Sequence, residues 1–220
     1  MGTVIRLEAG DGHGLDAYLA EPRGEAKGGI VVVQEIFGVN RHIRRVADRF
    51  AAEGYKAVAP AMFDRVERNV ELDYSQIDEG RAYMRRLEWP GTLSDVTAAV
   101  NEVRGAGSAF VVGYCWGGTV AHVAAGDLDI DAAVSYYGGG VAKMLDKKPH
   151  CPIVYHFGDR DASIPPADVE KIRHAYPESR VYVYPGAGHG FNCDERESYS
   201  AKDAQLALER TLEFLRAHAR

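Results

Sequence analysis

Ala109-Phe110-Val111-Val112 runs without interruption into Gly113-Tyr114-Cys115-Trp116-Gly117-Gly118, and this junction restricts the fold more than any other stretch. A short apolar run with no polar alternation suits a strand covered on both faces, as in a parallel sheet. The glycines two before and two after Cys115 suit a sharp strand-to-helix turn, where larger side chains would collide across the bend. A helix is expected to follow at once, to about Ala125. Cys115 would then stand at its N-terminus, where the partial positive charge of the helix favours an anionic nucleophile.

The rest of the chain repeats that alternation. Val4–Leu7 and Leu15–Ala20 flank Asp11-Gly12-His13-Gly14 and read as an opening hairpin. Gly28–Val33 is a second continuous buried run, and Asn40 is placed to cap a helix reaching about Ala52, ended by Gly54. Tyr55–Ala59, Asp131–Tyr136, Ile153–Phe157 and Arg180–Tyr184 are further strand-sized runs. Helical spacing covers Ile77–Leu87, Leu93–Val103, Pro165–His174 and Ala201–Ala217, the last with Leu206, Leu208, Leu212 and Leu215 as its apolar set. Arg65–Asp78 is polar and aperiodic and reads as a surface loop. Strand–helix alternation of this kind predicts a mainly parallel, twisted sheet with helices on both faces, formed by residues 1–220 as one domain. Ligands in such folds bind beyond the carboxyl ends of the strands.

Composition excludes several classes of function. With 26 Lys and Arg against 32 Asp and Glu, the formal net charge is −6, and no basic stripe suggests a nucleic-acid partner. The longest apolar runs are strand-sized, so no membrane association is expected. The N-terminal residues lack the apolar core of a signal peptide, and Arg6 occupies the position where a myristoylation site needs Ser or Thr. Three widely spaced cysteines imply no disulfide framework. A cytoplasmic location and, by default, a monomer are expected. His189 and Cys193 have helical metal-pair spacing, but Gly190 and Asn192 break the helix, so neither metal nor other cofactor is expected.

Two further segments follow strands at the same sheet edge. One is Gly158-Asp159-Arg160-Asp161-Ala162-Ser163-Ile164-Pro165, and the other is Gly186-Ala187-Gly188-His189-Gly190-Phe191. With Cys115 upstream they give the chain order nucleophile, acid, histidine of the α/β-hydrolase fold. His189 would accept the thiol proton, and Asp161, preferred over Asp159, would hold the imidazole and stabilise its charged form. Cys151 and Cys193 read as small buried hydrophobes.

Gln34-Glu35-Ile36-Phe37-Gly38, the Cys115 elbow, the turn ending at Asp161 and Gly188-His189-Gly190-Phe191 together resemble the dienelactone hydrolase (carboxymethylenebutenolidase) family. Tyr136-Tyr137-Gly138 and Glu209–Leu215 extend the similarity over nearly the whole chain. The resemblance implies a hydrolase that cleaves a small ester or lactone through an acyl-Cys intermediate, without a cofactor. It implies Cys115 as nucleophile, His189 as base, Asp161 as its acid, and the backbone N–H groups of Ile36 and Trp116 as oxyanion hole. Glu35 would be a fourth member, hydrogen-bonded to the resting thiol. The sequence departs from the family at Cys193, where a substrate-binding arginine is expected four residues after the histidine. Arg81 is the nearest counterpart to a second family arginine, and Arg196 lies a little further along the same loop as Cys193. This departure predicts a substrate less dependent on a carboxylate. Two alternatives stay open: a promiscuous carboxylesterase for uncharged esters, and a catalytically silent ligand-binding relative.

Overall fold

Continuous burial decides the centre of the sheet. In the computed structural model, which describes residues 2–220, β3 (Gly29–Val33) and β5 (Ala109–Tyr114) are buried at every residue. They lie side by side in parallel, with Val33 opposite Gly113. Around them runs one eight-stranded sheet in the order β1-β2-β4-β3-β5-β6-β7-β8. The remaining strands are β1 (Thr3–Glu8), β2 (Gly14–Ala20), β4 (Lys56–Pro60), β6 (Ala132–Tyr136), β7 (Ile153–Gly158) and β8 (Arg180–Tyr184). The opening hairpin pairs antiparallel, and β2 pairs antiparallel with β4, while every junction from β4 to β8 is parallel.

The helices are α1 (Arg41–Ala52), α2 (Ile77–Arg85), α3 (Trp89–Arg104), α4 (Trp116–Asp127), α5 (Pro166–Ala175) and α6 (Ala201–Ala217). The Asn40 side chain caps α1 by accepting from the Ile43 N–H at 3.2 Å, which satisfies one of the donors the first turn leaves over. His42, Ile43, Val46, Ala47, Phe50 and Ala51 form its buried face, at the spacing of one helical stripe. Ser200 does the same for α6 by accepting from Asp203 N–H.

Two elements differ from expectation. The helix expected from Leu93 already begins at Trp89, because Pro90 falls in its first turn, where a missing N–H costs nothing. The segment expected to be an irregular loop carries a 3-10 turn just before it, at Met62–Arg65, and an isolated bridge between Glu71 and Gly38. That bridge ties the segment to the loop after β3 and so brings it to the site.

Candidate active site

At the end of β5 the chain must reverse into α4 within one residue. Cys115 makes that turn with φ 54° and ψ −116°, a region that a side-chain-bearing residue rarely occupies. The neighbouring glycines explain why the turn closes. A Cβ on Gly113 would overlap the Gly117 carbonyl oxygen, and one on Gly117 would run into the Val33 and Gln34 carbonyls at the end of β3. The Cys115 N–H donates to the Tyr136 carbonyl at 3.0 Å, which anchors the elbow to β6.

The loops after β7 and β8 meet this elbow. His189 Nε2 lies 3.1 Å from Cys115 Sγ, and His189 Nδ1 lies 2.7 Å from Asp161 Oδ2. The other Asp161 oxygen accepts from the Ser163 N–H at 2.8 Å, so the carboxylate is held from both sides. Asp159 has a different task, accepting from the Gly186 N–H at 2.6 Å and thereby closing the β8 turn. Tyr137 packs edge-on against the His189 ring, with centroids 5.2 Å apart. Burial alone would disfavour a charged His189. The adjoining Cys115 and Asp161 outweigh it, and the imidazole is raised to about 10.

Cys115 and His189 open into a cavity of about 600 Å³, also lined by Ile36, Trp116, Arg81 and Arg196. Trp116 is the first residue of α4, whose N–H has no partner within its own helix. Its indole stacks on Phe63, which stacks in turn on Tyr83, building an aromatic wall. Arg81 is half-exposed, 3.5 Å from Asp78.

Glu35 stands differently from expectation. It is fully buried, but its Oε2 accepts from the Tyr74 hydroxyl at 2.9 Å and its Oε1 lies 3.6 Å from Arg196. Among the described residues the hydrogen-bond partner of the Cys115 thiol is His189, not Glu35. The reason is Tyr74, which the bridge between Glu71 and Gly38 carries in beside Phe37, with ring centroids 4.6 Å apart.

Cys193 does not face the cavity either. Tight turns fold the chain back after Gly190, with Cys193 N–H bonded to the Gly190 carbonyl and Arg196 N–H to the Cys193 carbonyl. The thiol is buried, and burial beside Glu35 pushes it up to about 12. Arg196 comes round instead, its guanidinium 5.5 Å from the Tyr74 ring centre and 6.0 Å from that of Phe37. Spacing from His189 pointed to Cys193, but of the two residues it is Arg196, already noted further along the same loop, that lines the cavity. Tyr74 was missed altogether, because it lies in an aperiodic segment.

The model of the dienelactone hydrolase family matches residues 15–219. The chain belongs to the dienelactone hydrolase family. A carboxymethylenebutenolidase of Pseudomonas putida is 32% identical, over 96% of this chain and 94% of its own. A Synechocystis protein provisionally named carboxymethylenebutenolidase is 35% identical over 89% of each. A crystal structure provisionally named dienelactone hydrolase, from Klebsiella pneumoniae, superposes with a TM-score of 0.82 at 29% identity, covering 96% of this chain and 98% of the other. As a dienelactone hydrolase family member, the protein is a hydrolase of the carboxylic-ester class on an α/β-hydrolase fold. No helix among the described residues is long and apolar enough to cross a membrane.

Proposed function

We propose that this protein opens a small ester or lactone through an acyl intermediate on Cys115. The observation that carries the reading is the continuous relay from Asp161 through His189 to Cys115, at 2.7 and 3.1 Å. The Cys115 sulfur attacks the substrate carbonyl carbon, its proton residing on His189. The oxyanion that forms is met by the N–H groups of Ile36 and Trp116. His189 then gives its proton to the departing alkoxide as the carbon–oxygen bond breaks, leaving a thioester. Water, losing its proton to His189, attacks that thioester and restores the thiol and the product acid. Asp161 holds the imidazole in the tautomer that both transfers need. No step calls for a cofactor.

The test is direct. Rapid acid quench during turnover of an activated acetate ester, followed by peptide mass spectrometry, should find one acetyl group on the peptide containing Cys115. Turnover with no adduct at any quench time, or an adduct elsewhere, would overturn the covalent mechanism.

The cavity also speaks to substrate class. Arg196 and Arg81 both line it, which supports a substrate carrying a carboxylate, in contrast to the weak anion dependence expected from Cys193. A charge-assisted hydrogen bond is worth roughly 1.5–3 kcal/mol, which is about 10- to 150-fold in kcat/KM. Arg196→Gln should therefore cut kcat/KM for a carboxylated lactone by about that factor and leave its methyl ester nearly unaffected. Equal losses on acid and ester would show that Arg196 serves only the packing of Phe37 and Tyr74.

A further inference from the structure

Behind the cavity wall, three buried side chains of different donor chemistry converge: Glu35, His42 and Cys193. One carboxylate oxygen, one imidazole nitrogen and the thiol sulfur all lie within 4.8 Å of one another. Glu35 and Cys193 are fully buried, and His42 is 2% exposed. None of the three lines the substrate cavity. They come from distant parts of the chain: the loop after β3, the first turn of α1, and the folded-back turn after β8.

Two of these groups are left with polar atoms that nothing in the protein satisfies. Glu35 Oε2 is occupied by the Tyr74 hydroxyl, but Oε1 has no hydrogen bond, Arg196 being too far at 3.6 Å. His42 Nε2 likewise has none. Its other nitrogen, Nδ1, lies 3.4 Å from Asp194 Oδ1, and Asp194 is itself held by Arg45 at 2.7 Å. A carboxylate on Nδ1 leaves Nε2 with its lone pair free and fixes the direction of the ring. That arrangement commonly stands behind a metal-bound histidine. Buried polar atoms in native proteins are seldom left unmatched, and here two residues with unpartnered atoms share one cluster with a buried thiol.

We propose that Glu35, His42 and Cys193 form a binding site for one divalent transition-metal ion, with zinc as the chemical match. A set of one oxygen, one nitrogen and one sulfur suits zinc far better than calcium or magnesium, which take oxygen. Zinc–nitrogen and zinc–sulfur bonds of about 2.1 and 2.3 Å put tetrahedral donors about 3.6 Å apart, so the side chains need close by only about an ångström. The Cys193 proton leaves to solvent as the metal binds. The site departs from the expectation of no metal, because its histidine is His42 rather than His189. A consequence that rests on the proposed function follows from charge. With two anionic ligands, the bound ion leaves a neutral cluster and takes Glu35 away from Arg196, whose cation is then free for a substrate anion.

The experiment uses the full-length chain carrying Cys115→Ala and Cys151→Ala, so that Cys193 is the sole thiol and no catalysis is needed. Titration with cobalt(II) should give one equivalent of binding with a sulfur-to-cobalt charge-transfer band in the near ultraviolet, and zinc should abolish that band by displacement. Adding Cys193→Ser should remove the band, and adding His42→Ala should weaken binding at least tenfold. Asp194→Asn should weaken it about 10- to 100-fold, the usual cost of losing a partner that orients a ligand. Absence of a band in the double variant would overturn the proposal, whether or not any other variant folds. So would a band that persists after Cys193→Ser. Neither result bears on the acyl-Cys mechanism, which is read by the mass of the Cys115 peptide.

Discussion

Replacing Cys115 with alanine should reduce hydrolysis of p-nitrophenyl acetate by on the order of a thousandfold or more, leaving only the rate that binding and the oxyanion donors sustain. Circular dichroism should show an unchanged fold, since alanine makes the same turn with one fewer atom. The expectation is specific to this cysteine. Cys151 lies where its thiol meets the Ala125 carbonyl at 3.9 Å, at the opposite end of α4 from the elbow. Cys151→Ala should keep most of the activity. A folded Cys115→Ala protein hydrolysing the ester at the wild-type rate would end the assignment of the nucleophile.

The second large effect should come from Asp161→Asn. An amide at this position can present its NH2 to His189 Nδ1, which would leave Nε2 protonated and unable to take the proton of Cys115. A fall in kcat of about a hundred- to ten-thousandfold is expected, the upper figure being that of the corresponding change in serine proteases. The same substitution removes one of the influences that raise His189, so its imidazole should titrate lower, which ring-proton NMR can follow. Asp159→Asn should leave kcat within a few-fold, since that carboxylate serves the Gly186 turn. Combining Cys115→Ala with Asp161→Asn should cost little more than Cys115→Ala alone, because the relay acts as a unit. Equal effects of Asp159→Asn and Asp161→Asn would contradict the pairing.

Much of this arrangement could be read from the chain because local physics and tertiary context agree there. Asn40 caps α1 as its side chain and position require, and α6 occupies the range its apolar spacing predicts. The two unbroken apolar runs became the central strands because nothing but full burial on both faces accommodates them. The elbow glycines, and the histidine and acid placed just after strands, are signals of the same local kind. What was legible only in part, as with Arg196, or not at all, as with Tyr74, was set by turns and by partners remote in sequence. Arg196 reaches the cavity because the chain reverses after Gly190, where φ is +76° and the Arg196 side chain lies over the glycine. Counting four residues from His189 could not anticipate that reversal. Glu35 was expected on the thiol and is found on Tyr74, whose position depends on a single bridge between Gly38 and Glu71. His42 reads as one residue of a helix stripe, and only the packing of α1 against two loops shows that its ring has an unsatisfied nitrogen.

The backbone at Cys115 has a consequence for how such a protein changes over generations. A non-glycine residue at φ 54° and ψ −116° carries a conformational cost of about 1–3 kcal/mol, a sizeable share of the margin by which a domain of this size holds together. Glycine at the same place would relax the turn and, under the proposed mechanism, remove the acyl acceptor. Selection acting on persistence alone would therefore draw position 115 toward glycine, and the proposed mechanism supplies the opposing demand for a thiol. Under the proposed mechanism the strained position and the acyl acceptor are the same residue, so loss of the reaction would free position 115 to relax.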